Sequence, residues 1–395
     1  MTPTERRASA SLALIFALRM LGLFLVLPVF ALEARKYPGG DDPVLLGLAM
    51  GIYGLTQGLL QLPFGMASDR FGRKRVIVLG LLVFSAGSFW AAAAPDLHGL
   101  LIGRSLQGAG AVSAAVTALL ADLTRDEVRT KAMALVGASI GLMFSLSLVL
   151  APLLAAAVGL AGLFGITGVL ALLGVVVVIW GVPQAPPMQP GAARGRLVDV
   201  LRHAGLMRLN LGVFVLHAVQ LAMWVAVPAL LVQAGLAKEQ HWQVYLPAVL
   251  GSFVLMGGMF ALERRGHLRK VFLAAILLIT LVEVGLLLVS SGAPGLLTLA
   301  GLLFAFFVGF NILEATQPSL VSRLAPTPVR GTAMGVYNTL QSLGFFMGGW
   351  MGGHLVRLGG GQALFVCCAL AMLLWLLVAW PMQLPVRAAR LAEAA

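Results

Sequence analysis

Ionisable side chains lie well inside long apolar stretches of this sequence, among them Arg19, Arg104, His217, Glu283 and Glu314. A charge at the centre of a bilayer costs about 2.5–3.5 kcal/mol on insertion scales, so each group needs a partner or a water-filled cavity. Each is therefore a candidate for function. Glu314 is the acid chosen for proton coupling, because burial favours the neutral carboxyl and lets it load and release a proton near neutral pH. Asn311, three residues earlier on the same helical face, is expected to share its cavity. Glu283 is the competing acid. His217 has Gln220 nearby, and an imidazole with an ordinary pKa of about 6.5 is either a second proton site or an interhelical hydrogen-bond donor. Arg19, near the middle of its stretch, reads as a cavity or substrate-binding residue, or as an anchor for helix-end carbonyls. Arg104 lies nearer the end of its stretch, where snorkelling to the interface is the simplest reading.

Enzyme chemistry has little support. Gly137-Ala-Ser139-Ile-Gly141 has the spacing of a nucleophile elbow, but it lies inside an apolar helix, without the strand-to-helix turn and partners that the elbow needs. There is no H-E-x-x-H pair and no P-loop, so neither metal hydrolysis nor ATP-driven pumping is expected. Cys367 and Cys368 are adjacent in an apolar run and make no metal site alone. No cofactor is expected, and uphill movement of a solute would draw on an ion gradient.

The elements that must hold these residues follow from composition. The 395 residues are 60% hydrophobic and only 11% charged, against about 25% charged in soluble domains. Mean hydropathy is +0.97. A cytosolic enzyme, a secreted disulfide scaffold and a disordered chain are excluded. Apolar segments fall at 11–32, 44–64, 76–95, 99–121, 132–158, 161–182, 207–232, 243–263, 271–291, 295–320, 332–356 and 362–384. Each is long enough to cross a bilayer as a helix, and none shows the alternation of a barrel strand. The first is too long for a signal-peptide core and reads as a retained helix. The expected class is an all-α integral membrane protein of twelve transmembrane helices.

The longest polar interval, 183–206, is rich in Pro, Gly and Arg and divides the chain into an N-terminal bundle (1–182), a cytoplasmic linker and a C-terminal bundle (207–395). The net charge of +12 would suggest nucleic acid in a soluble protein, but here the basic residues cluster in short loops and set topology instead. Placing most of the 27 Lys and Arg inside puts both termini in the cytoplasm; Arg35, Lys36, Lys238 and Arg357 are left for the outer loops. The two halves echo each other: Leu123-Thr-Arg-Asp-Glu-Val-Arg-Thr-Lys-Ala-Met133 matches Leu324-Ala-Pro-Thr-Pro-Val-Arg-Gly-Thr-Ala-Met334 at an offset of 201. Parallel six-helix repeats are the plan of one class of secondary transporter, with the substrate site between the halves.

Between the second and third spans runs Gly65-Met-Ala-Ser-Asp69-Arg70-Phe-Gly72-Arg73-Lys74-Arg75. This string resembles the loop signature of the major facilitator superfamily, in its YajR-like branch, which is grouped with drug:proton antiporters. Arg19-Met-Leu-Gly22, Gly51-Ile-Tyr53-Gly54, Gly103-Arg104-Ser-Leu-Gln107-Gly108, Leu216-His217, Asn311-Ile-Leu-Glu314 and Gly331-Thr-Ala-Met-Gly335 extend the resemblance along the chain. The resemblance implies two six-helix bundles, with spans three, six, nine and twelve at the periphery. It also implies a conformational latch of Gly65, Asp69, Arg70, Gly72, Arg73 and Lys74 with Asp122 and Arg129, reaching the start of span eleven at Arg330. Arg104 would be a cavity residue concerned with proton transfer, and Glu314, His217 and Arg19 would complete the proton-coupling set. Tyr53 and Gln57 form a polar stripe on span two and, with Gln107, Asn311, Asn338 and Gln341, are the candidates for lining the substrate cavity. The implied function is proton-coupled efflux of a small amphipathic molecule by a monomer in the inner membrane. The antiporter signature of span five is incomplete, with Gly141 and Ala151-Pro152 in its place. Symport or uncoupled facilitation of a small nutrient stays open, as does a membrane receptor or enzyme that moves no solute.

Overall fold

A computed structural model describes residues 1–184, 197–264, 266–292, 295–326 and 329–382, the side chains of 126, 127, 129, 130, 134, 259–261, 263 and 264 excepted. Its helices are α1 (Pro3–Glu33), α2 (Pro43–Phe71), α3 (Arg73–Ala92), α4 (Leu97–Ala109), α5 (Ser113–Asp122) and α6 (Asp126–Val176). A single turn, α7 (Leu197–Leu201), leads into α8 (Ala204–Gln233), α9 (Trp242–Arg264), α10 (Leu268–Ser290), α11 (Leu296–Leu324) and α12 (Arg330–Ala379). No strand occurs among the described residues. Residues 185–196 of the expected linker, the side chain of Arg129 and the segment after residue 382 lie outside the described residues.

Twelve crossings come from these elements in an uneven way. At about 1.5 Å per residue, the 51 residues of α6 and the 50 of α12 would each run more than twice the ~30 Å thickness of the hydrocarbon. Each bends back on itself at a glycine in the left-handed region: Gly159 (φ 66°) and Gly360 (φ 63°). A side chain there would meet its own carbonyl, so glycine is the residue that permits the reversal. The two bends stand 201 residues apart, the spacing of the loop repeat. The fourth crossing is instead discontinuous. It is built from α4 and α5, with three non-helical residues at 110–112 between them.

Burial separates central from peripheral crossings. Within α8 most residues from Leu206 to Leu231 are buried. By contrast, Leu79, Leu82, Phe89 and Trp90 on α3, Leu172, Leu173 and Trp180 near the end of the sixth crossing, Leu277, Leu281 and Leu288 on α10, and Leu370, Leu374 and Leu377 on α12 are exposed. Exposed leucines in a protein of this hydropathy face lipid. Crossings three, six, nine and twelve each carry such residues, and α3 and α10 pack against helices of their own half.

The ends of the bundle differ. One end carries the Asp69 loop and most of the basic residues and is here termed the basic end; the other is the far end. At the basic end each half fastens its last crossing with its own cations. Arg7 donates to the carbonyls of Trp180 (2.9 Å) and Gly181 (3.0 Å), and Lys74 to that of Val182. Arg269 donates to Trp380 (2.6 Å) and Met382 (3.1 Å). Cations on exposed helix C-terminal carbonyls satisfy acceptors that no further turn can reach.

The halves meet mainly where α2 lies along the first part of α12, with smaller contacts of α1 on α8 and α6 on α9. The α2 stripe Gly47, Gly51, Gly54 and Gly58 lets the backbones touch. A methyl group on Gly51 would sit 2.6 Å from the Phe346 carbonyl oxygen, and one on Gly58 3.3 Å from Leu343. Toward the basic end the helices part: a methyl on Gly335 would meet only Leu62, at 3.8 Å, and one on Gly331 would meet nothing within 4 Å. The interface is therefore closed at the far end and splayed at the basic end.

Candidate functional site

Three of the expected polar residues converge in the last six crossings, beside the α2–α12 seam. Glu314 (α11) places Oε2 3.2 Å from Nε2 of His217 (α8), and the Gln341 amide (α12) donates to His217 Nε2 at 2.8 Å and to Glu314 Oε1 at 3.3 Å. The imidazole is held from behind, because Nδ1 lies 2.8 Å from the Val213 carbonyl, which can only accept; Nδ1 must carry a hydrogen. Phe310 and Phe345 flank the ring edge-on. His217 is buried, whereas the Glu314 side chain is 39% exposed. The Tyr337 hydroxyl, within electrostatic reach of Glu314, is buried and has no hydrogen-bond partner.

A second cluster sits in the first six crossings. The Arg19 guanidinium donates to Ser113 Oγ (2.9 Å), Tyr53 Oη (2.7 Å) and Gln57 Oε1 (3.2 Å), and its carbon lies 5.5 Å from the centre of the Phe84 ring. Gln57 in turn donates to Ser342 Oγ of α12 at 3.3 Å, so this network crosses the seam and ends one residue from Gln341.

Other expected site residues pack elsewhere. Arg104 neither snorkels nor faces a carboxylate. It is buried and donates to the carbonyls of Ala49 (3.4 Å) and Met50 (3.2 Å) and to Gln107 Oε1 (3.0 Å), with its carbon 5.0 Å from the Tyr53 ring centre. Gln107 donates to Ser88 Oγ and is held between α3 and α4. Asn311 donates to Ser252 Oγ at 2.7 Å and joins α11 to α9, turned away from the Glu314 hydrogen bonds. Asn338 is half-buried, and its carbonyl accepts from Ser342. Glu283 is fully buried on α10, and neither carboxyl oxygen has a hydrogen-bond partner.

Part of the latch is assembled. Gly72 (φ 96°) turns the chain between α2 and α3, so Arg73 can bridge Asp69 (2.5 Å) and Asp122 (3.0 Å) while donating to Ser68 Oγ. Three expected members lie apart. Lys74 closes the sixth crossing, as described, and Arg70 is exposed beside the Phe71 ring. Arg330 is exposed and, among the described residues, joins no part of the latch, because α2 and α12 have splayed at this end. Gly65 faces only Ala114, at 3.8 Å from an added methyl.

At the far end the halves are pinned by charge. The Glu33 carboxylate, 4% exposed at the end of α1, accepts from Lys238 (2.6 Å) in the loop before α9 and from Lys36 (2.5 Å). The hydrogen bond to Glu33 holds the Lys238 ammonium above the usual lysine range, so this contact persists through neutral pH. Close by, His241 is 2% exposed, and Nε2 has no hydrogen-bond partner. Burial pushes its pKa down from 6.5 to about 4. The folded protein therefore binds this proton less readily than the unfolded chain, and stability falls as pH drops from about 6.5 toward 4. We expect a loss of about 2 kcal/mol over that range, which His241→Gln should remove in thermal melts at pH 4.5 and 7.5.

Comparison with known proteins decides what this arrangement belongs to. The family model described as Major Facilitator Superfamily matches residues 12–349. The chain belongs to the major facilitator superfamily. It is similar to the inner membrane transport protein YajR of Escherichia coli K12, at 42% identity over 98% of this chain and 85% of the relative. The multidrug resistance protein MdtH of Aeromonas hydrophila is 28% identical over 89% of this chain and 86% of its own. Among solved structures, the human organic anion transporter MFSD10 superposes with a TM-score of 0.69 at 21% identity, covering 96% of this chain and all of that one. A bacterial homologue of the human lysosomal transporter Spinster gives 0.75 at 13% identity over 96% of this chain and 97% of its own. The protein is a multi-pass membrane transporter, and this superfamily moves solutes rather than catalysing reactions.

Within the facilitator fold, the side chains that sequence reasoning left out are Ser113, Ser342, Glu33 and His241. The first two are short hydroxyls that carry no charge to mark them. Glu33 and Lys238 carry a weak signal: both stand on the side of the membrane that the basic residues otherwise avoid.

Proposed function

We propose that this transporter exports a small amphipathic molecule in exchange for protons, the two halves rocking about a central site. The basic end is assigned to the cytoplasm, because Lys and Arg are retained there; both termini and the Asp69 loop are then inside, and the state described opens inward. YajR is named an inner membrane protein, which favours the same membrane here, and the multidrug names of the MdtH relatives favour export. The protein acts as a monomer and needs no cofactor beyond the proton gradient.

The observation that carries the proton reading is the 3.2 Å approach of Glu314 Oε2 to His217 Nε2. With Nδ1–H committed to Val213, Nε2 of a neutral imidazole offers only a lone pair. With the Gln341 amide turned off Nε2, a single proton completes the contact, either on the carboxyl and donated to Nε2, or on Nε2 and donated to the carboxylate. When neither group holds it, two electron-rich atoms face each other and repel. Loading and release of one proton therefore makes and breaks a tie between α11 and α8, while Gln341 passes the change to α12 and its seam with α2. Asp69, Arg73 and Asp122 brace the loop on which that seam closes in the opposite state.

The test uses proteoliposomes and any solute that the purified protein moves. Outward gradients of that solute should drive proton entry, and Glu314→Gln should reduce this exchange to the empty-liposome background. Solute movement with protons in the same direction would favour symport, and proton flux unchanged in Glu314→Gln would refute the assignment.

A further inference from the structure

Arg19 has an odd set of partners for a buried cation. It is 1% exposed, yet all three acceptors are neutral side-chain oxygens, Nε has no hydrogen-bond partner, and no carboxylate among the described residues pairs with it. Arg104, similarly buried, is a useful contrast. It is tied to two backbone carbonyls of α2 and to Gln107, a fixed structural clamp. The Arg19 acceptors can instead rotate away. One of them, Gln57, is held by its longest bond (3.2 Å) and reaches across the seam to Ser342 at 3.3 Å.

The same point is the start of a half-helix. The fourth crossing breaks at 110–112, and α5 begins at Ser113, the residue whose hydroxyl receives Arg19. Its N-terminus has no side-chain cap, and its first turn closes only with Val116 N–H on the Val112 carbonyl. The first-turn amides of α5 (Ser113, Ala114 and Ala115), which have no backbone acceptor among the described residues, and the positive end of its dipole therefore lie beside an unneutralised guanidinium near mid-membrane. The amides of Gly110 and Val112 are already bonded to the Gln107 and Gly110 carbonyls. Broken helices whose N-terminal ends face an anion are one solution membrane transporters use to bind acidic groups.

Building on the transport reading, we propose that the substrate carries an anionic group, a carboxylate, sulfonate or phosphate monoester, which docks on Arg19 and the first turn of α5. Gln57 holds its place in the state described. When the halves shift and the Gln57–Ser342 bond breaks, the anion replaces the Gln57 oxygen and supplies the countercharge that Arg19 lacks. The apolar part of the substrate then lies along the seam.

The test is a thermal-stabilisation screen of the full-length protein in nanodiscs, with a solute panel split evenly among amphipathic anions, zwitterions, neutral molecules and cations. It includes 4-phenylbutyrate, its amide and 4-phenylbutylamine as a matched set. Stabilising solutes should be those with an anionic group. Their apparent affinity should fall at least tenfold in Arg19→Gln and recover in part in Arg19→Lys. Arg19→Lys and the class distribution in the wild type remain readable if Arg19→Gln fails to fold. A set of binders without anions, or anions that bind Arg19→Gln unchanged, overturns the proposal. The proton reading fails separately: anions bound at Arg19 but moved without proton exchange would sink coupling and leave the anion site standing.

Discussion

Gly51→Leu should lock the far end apart. An added Cβ alone meets the Phe346 carbonyl oxygen at 2.6 Å and the Gly349 Cα at 3.3 Å, both backbone atoms of α12 that cannot rotate away. Forcing a large side chain into a packed interface costs about 1–3 kcal/mol or more, enough to shift an open–closed equilibrium roughly tenfold to hundredfold at about 1.4 kcal/mol per factor of ten. Spin labels at Asp41 and Arg357, on opposite halves of the far end, would read this as a move to longer distances, with Cys367 and Cys368 first replaced by serine. Transport should fall by a similar factor. Gly335→Ala is the control: its added methyl has room at 3.8 Å from Leu62, and the distances should not change. A Gly51→Leu protein with unaltered distances and rates would mean that the glycine stripe does not set closure.

Lys238→Glu should open the same end by charge. The substitution sets a second carboxylate against Glu33 and a neighbour to Glu239, whose Oε1 lies 3.9 Å from the lysine it replaces. Breaking a fully buried pair costs about 3–5 kcal/mol and an exposed pair at most about 1. Glu33 is buried while Lys238 is 36% exposed, so the cost falls between these, near 2 kcal/mol, or about thirtyfold in the closed population. Because Lys36 keeps one bond to Glu33, the simple deletion Lys238→Ala should do less. Exchanging both charges, Glu33→Lys with Lys238→Glu, should restore much of the closure, and high salt should shrink the whole series. Equal distances in Lys238→Glu and wild type would show that packing alone holds the far end.

The crossings were readable in the sequence because a helix in lipid must satisfy its own backbone and advertise twenty or so apolar residues to do it. Glu314 and His217 were readable for the complementary reason, since an ionisable group in such a stretch is rarely idle. Their pairing was not, because it joins residues from different helices and depends on Val213 fixing one face of the imidazole. Arg104 and Gln107 looked like cavity residues for the same reason that Arg19 did, yet helix rotation turns them onto α2 carbonyls and Ser88. The break before Ser113 left a faint trace in Gly108 and Gly110. On the transport reading proposed above, a latch that reaches Arg330 would belong to a state in which the basic end is shut.

The bends at Gly159 and Gly360 leave no slack between the helices they join. On the same transport reading, each long helix would work as a crank: a tilt of its inner arm reaches the lipid-facing arm through a bent backbone rather than through a slack tether. Each half would then swing largely as one piece and slide on the surface between them.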